Sequence, residues 1–94
     1  MRVVYMTRKI RESLDIRMRV SIVEILNTKE TLENVDTFQI FEFKNNKMIN
    51  TQEEPKLKVE IQLPYRVVEF KVWAILNLDD VLGEYWTIMY PSDY

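Results

Sequence analysis

The chain has 94 residues and a net charge of −2, with no histidine, no cysteine and a single glycine, Gly83. This excludes the usual general base at neutral pH, every thiolate nucleophile and the Cys/His zinc sites, and it leaves no glycine-rich phosphate cradle. With 47% apolar and 12% aromatic residues, so short a chain makes one domain over residues 1–94, whose core needs neither disulfide nor metal.

Val3-Val4-Tyr5-Met6 reads as a short strand closed by the polar Thr7-Arg8-Lys9. Residues 13–27 carry two patterns at once. Leu14, Met18, Ile22, Ile25 and Leu26 recur at helical spacing behind Ser13 as a candidate N-cap. Ile16 to Ile22 also alternates as a half-buried strand would, so the local pattern leaves both open, and length favours the helix. Asn27 to Asp36 is polar and reads as a loop.

Phe38 to Phe43 reads as a strand with aromatic side chains, and Lys44-Asn45-Asn46-Lys47 as a hairpin turn, because asparagine tolerates the left-handed backbone. Met48-Ile49 continues that hairpin, and Thr51 to Pro55 closes it. From Lys56 to Leu63, Leu57, Val59, Ile61 and Leu63 point one way and charged or amide side chains the other, as in a half-buried antiparallel strand. Pro64 is expected to interrupt. Val67 to Leu78 is then a long strand with Val68, Phe70, Val72, Ala74 and Leu76 inward, and Tyr85 to Tyr90 is the last strand. The sum is an α+β fold: an antiparallel sheet of about five strands with one helix from the N-terminal half packed on it.

Tyr5-x-Thr7-Arg8, the segment of about fifteen residues that follows, Gln39-Ile40-Phe41-Glu42-Phe43, Gln52-Glu53-Glu54-Pro55 and the terminal Tyr94 together resemble a family of small staphylococcal and related Firmicute proteins, catalogued as a domain of unknown function. The resemblance implies a helix over 14–26 and an association with mobile cassettes that carry site-specific recombinases. It implies no activity, catalytic residue or cofactor.

Candidate chemistry is sparse. Glu53-Glu54 and Asp79-Asp80 are paired carboxylates beside turns, and solvated turn acids are their commonest role. No serine has an evident base, so no enzyme activity, cofactor or metal is expected. Charge gives one lead. Residues 1–20 hold Arg2, Arg8, Lys9, Arg11, Arg17 and Arg19 against Glu12 and Asp15, while the rest of the chain is acidic. Arg8, Lys9, Arg11, Arg17 and Arg19 are therefore candidate phosphate contacts for a nucleic acid.

Aromatic residues give the other lead. Trp73 and Trp86 are candidates for an aromatic surface that meets a host protein, and the apolar outer face around Trp73 and Ile75 suits a homodimer. Met1 to Met6 lacks a signal-peptide core and no apolar run could span a bilayer. A cytoplasmic protein without membrane contact is the expectation.

Overall fold

The computed structural model describes residues 2–30 and 35–94. Strand β1 (Val3–Met6) leads into two helices, α1 (Arg8–Ser13) and α2 (Ile16–Lys29). The hydroxyl of Thr7 accepts the N–H of Ile10 and starts α1. Leu14 is extended and ends it. Asp15 then caps α2, its carboxylate accepting the N–H of Arg17 at 2.8 Å. Ser13, expected as a cap, is instead the last residue of α1.

Residues 16–29 are thus helical, and the strand-like alternation of Ile16–Ile22 is overridden. The Asp15 cap satisfies a free helix donor. Ile22 and Leu26, one turn apart, are both fully enclosed beside Ile10 and Leu14, which is the stripe a helix needs to bury. The loop expected over Asn27–Asp36 lies partly outside the described residues, at 31–34. Its first three residues belong to α2.

Among the described residues there are two α-helices where one was expected, and the sheet has four strands where about five antiparallel ones were expected; it is mixed. Strands β2 (Phe38–Glu53), β3 (Lys56–Asp79) and β4 (Gly83–Met89) run antiparallel in sequence, and β1 lies parallel to β4 in the order β1-β4-β3-β2. Two readings account for the miscount. Asn45 does adopt the left-handed backbone, with φ 54°, but it serves a shift in register between Phe43 and Lys47 rather than a hairpin turn. The strand continues through it. Pro64 likewise falls between the pairs Lys47–Gln62 and Asn45–Val67, where no ladder N–H is required of it. The true hairpin turn follows Glu53, across the cis Glu54–Pro55 bond.

The irregularity also exchanges the faces of β2, because a side chain's side alternates with every residue. Gln39, Phe41 and Phe43 point inward before it, and Met48, Asn50 and Gln52 after it. Of the residues expected to face inward on the segments 56–63 and 67–78, Val72 is fully buried, and Ile61 and Phe70 pack partly buried against the core, but Leu57, Val59 and Val68 do not. All six lie on one strand, Leu57 and Val59 are exposed, and Val68 is 80% exposed. The core instead joins Ile10, Leu14, Ile22 and Leu26 to Phe41, Phe43, Val72, Trp86 and Ile88.

Both helices cover this one face. Among the described residues no helix is long and apolar enough to cross a membrane.

Candidate functional site

Among the described residues no helix covers the opposite face of the sheet, and its side chains follow from the register. Ile40 of β2 pairs with Trp73 of β3, which pairs with Met89 of β4. The next row runs Phe38, Ile75, Thr87 and Tyr5, and the one beyond it Asn77, Tyr85 and Val3. The C-terminal 3-10 turn (Pro91–Asp93) brings Tyr94 over this surface. Trp73 then sits between Phe38, at 5.0 Å between ring centroids, and Tyr94, at 5.9 Å. Tyr5 and Tyr85 make an edge-to-face pair at 5.2 Å near the other side. Thr87 and Asn77 share a hydrogen bond of 2.9 Å. The surface is amphipathic and aromatic, with Glu42, Lys44 and Lys71 at one end. An ion pair of 3.5 Å joins Lys44 to Glu42.

Trp73 therefore stands where an aromatic contact was expected. Trp86 does not. It is 0% exposed, because its position on β4 has the parity of Ile88 and faces the helices. Alternation along Tyr85–Met89 gives the two faces but not which of them the helices take.

The five basic candidates do not form one patch of free charge. Arg8 pairs with Glu12 at 2.7 Å, Lys9 with Asp93 at 3.6 Å and Arg17 with Asp15 at 2.9 Å. The Arg17 hydrogen bonds hold the Asp15 carboxyl below the usual range, and the same guanidinium lies 3.9 Å from the centroid of the Tyr65 ring. Arg11 is exposed without an ion pair among the described residues. Arg19 has its Nε enclosed and, among the described residues, without a hydrogen-bond partner. Arg17 and Arg19 sit about 200° apart on α2.

A buried polar cluster was not legible in the sequence. Lys29, 3% exposed, donates to Oε1 of Gln39 at 2.9 Å and Oε1 of Gln52 at 2.7 Å. Gln39 donates to Gln52 at 2.8 Å, and Asn50 to Gln39 at 3.1 Å. Burial pushes the Lys29 ammonium below the usual lysine range, with Asp36 partly opposing. Asp36 in turn accepts the backbone N–H groups of Phe38, Glu53 and Glu54. The cluster fastens the hairpin tip onto the end of α2.

The turn expected over Asn77–Gly83 joins β3 to β4, and its apolar exposure is the other feature that sequence reading missed. Leu78, Val81 and Leu82 are all exposed, Val81 by 90%. The Asp79 carboxylate accepts the N–H groups of Leu82 and Val81, which lowers its pKa, and Gly83 supplies the left-handed residue with φ +76°. The Asp79 carboxylate thus serves the backbone, and among the described residues no cluster of acidic side chains could hold a metal ion.

Compared with family models, with curated proteins and with solved structures, the chain gives no match. Its function is therefore read from its own residues.

Proposed function

We propose that the chain is a non-enzymatic interaction module that binds another protein through the uncovered face of its sheet. The observation that carries this reading is the row of Phe38, Trp73 and Tyr94 on a face that none of the described helices covers. Trp and Tyr are enriched where partners meet, since they bring large apolar area at little cost in side-chain entropy. Two further features favour a protein over a nucleic acid. The aromatic rings of this face pack edge-on or tilted against one another, whereas stacking on bases requires open ring faces. The face also lacks a basic track, because its end lysines stand beside Glu42. Taken with the resemblance to cassette-borne proteins, the partner is a protein of the host cell.

The test is a pull-down with the immobilised chain, run with and without nuclease and repeated with Trp73→Ser. The reading requires a protein that is retained after nuclease treatment and lost with the variant. Loss on nuclease treatment, or retention that ignores Trp73, would overturn it. Loss of retention only in high salt would favour the basic N-terminal segment as the contact instead.

A further inference from the structure

We propose that the chain pairs with a second copy of itself along the free edge of β1, extending the sheet across a two-fold axis at Tyr5. The backbone carries the first argument. In a parallel pair, alternate residues turn their N–H and C=O groups to the neighbouring strand. The N–H of Thr7 donates to the carbonyl of Ile88 at 3.0 Å, so Thr7, Tyr5 and Val3 face β4. Val4 and Met6 then turn theirs outward, and these have no hydrogen-bond partner among the described residues. The next outward N–H, that of Arg2, is already met by Oε1 of Glu30 at 2.9 Å. The free segment is therefore two residues placed symmetrically about Tyr5.

That symmetry selects the occupant. An antiparallel copy lays Val4 against Met6 of the second copy, each such pair exchanging both of its hydrogen bonds, with Tyr5 opposite Tyr5. Unpaired strand edges are what other chains add to, unless something covers them. Here the surroundings are apolar: Val3 and Tyr5 are exposed on one side of the strand, and Ile16 and Val20 on α2 at the other.

Charge supplies the second argument. Arg19 and Glu24 line one groove with Met6 and Val20, and neither makes an ion pair among the described residues. Five positions apart on α2, they are about 140° apart around the axis and cannot meet each other. Two antiparallel copies of α2 bring Arg19 towards Glu24 of the second copy, twice over. The edge is thus complementary to itself in hydrogen bonding and in charge.

Because the chain has no cysteine, Tyr5→Cys introduces a lone thiol on the proposed axis. Opposed residues at a non-hydrogen-bonded position have Cα atoms about 4.5 Å apart, within disulfide reach. Under mild oxidation Tyr5→Cys should run at twice the 11.4 kDa chain mass, and Leu78→Cys, an exposed control on the β3–β4 turn, at least tenfold more slowly. In light scattering the unaltered chain should be a dimer. Arg19→Glu and Glu24→Arg should each weaken dimerisation at least tenfold, and the double exchange should restore it, with melting curves confirming that all are folded.

A monomer at every concentration overturns the proposal. So does a dimer that Trp73→Ser breaks while both charge variants preserve it, since the uncovered face would then be the contact. A monomeric chain that retains a different protein, and loses it with Val20→Arg, also overturns it, in favour of a foreign strand on β1. The first two outcomes are read from light scattering without the nuclease-resistant pull-down, so this proposal and the protein-binding reading fail separately.

Discussion

Lys29 Nζ donates to Gln52 Oε1 at 2.7 Å and to Gln39 Oε1 at 2.9 Å, so one side chain holds both ends of strand β2. Gln39 lies near the start of the strand and Gln52 near the hairpin tip. The strand must curl to bring them together, and the irregularity at Asn45 is where it does so. The end of α2 thereby fixes the curvature of the sheet whose other face is free.

Replacing that lysine should cost stability in a pH-dependent way. Lys29→Met keeps most of the volume but removes the donor to two buried amides, at a cost of about 1–3 kcal/mol. Burial lowers the Lys29 pKa, with Asp36 partly opposing. Between that lowered value and the ordinary 10.5, the unfolded chain binds more protons than the folded one. Stability contributed by this group should therefore rise with pH across that alkaline window. Urea unfolding at a series of pH values checks this. The rise should be smaller in Lys29→Met, and equal slopes for the two proteins would refute the assignment.

The adjacent carboxylate should act at the acid end. Burial alone would raise the Asp36 pKa, but the backbone N–H groups of Glu54, Phe38 and Glu53 outweigh it and lower the value. A carboxylate with a lowered pKa stabilises the fold above its unfolded value, here 3.8, and that stability is lost as pH falls through the folded value. Asp36→Asn should melt below the parent at pH 7, and the gap should close as the pH drops below 3.8. A gap that stays constant down to pH 2 would place the effect elsewhere.

The core assignment separates two residues that periodicity treats alike. Phe41 is fully enclosed, and Val68 is 80% exposed. Phe41→Ala should cost about 3–5 kcal/mol, a large part of a domain stability of about 5–15 kcal/mol. Val68→Ala should stay within about 0.5 kcal/mol of the parent. Comparable losses in chemical denaturation would mean that the phase of β3 is inverted near Val67.

What could be read in advance follows from the range of each signal. The alternation from Lys56 to Leu63 is local, and it gives a strand with Leu57, Val59 and Ile61 on one face. Whether that face is buried depends on where α2 ends, which no neighbour in sequence reveals, and Leu57 and Val59 are in fact exposed. Asn45 announces a left-handed residue, but a hairpin turn and a bulge need the same backbone there. Only the long-range pairing of Phe43 with Phe70 and of Lys47 with Gln62 distinguishes them. Trp73 and Trp86 are equally aromatic, and the parity of their strands relative to the helices decides which one is a surface. Lys29 reads as part of a polar loop, because the amides that receive it come from 10 and 23 residues further along.

Any nucleic-acid retention by the basic N-terminal segment should depend only weakly on salt. Each phosphate neutralised releases a counterion, so the slope of log affinity against log salt counts the contacts, at about −0.9 for each. Arg8, Lys9 and Arg17 already have Glu12, Asp93 and Asp15 as counterions. Phosphate would have to displace those carboxylates, which removes much of the gain from bringing it in. Arg11 and Arg19 remain, and the slope on a DNA column should be no steeper than about −2. Arg11→Ala should flatten any such slope by about one unit, and Arg17→Ala should leave it nearly unchanged. The helical form of α2 sharpens the comparison, since Arg17 and Arg19 point about 200° apart and cannot both meet one backbone. A slope of about −4 or steeper that Arg17→Ala flattens would mean the ion pairs open for phosphate. The basic segment, and not the uncovered aromatic face, would then be the working surface.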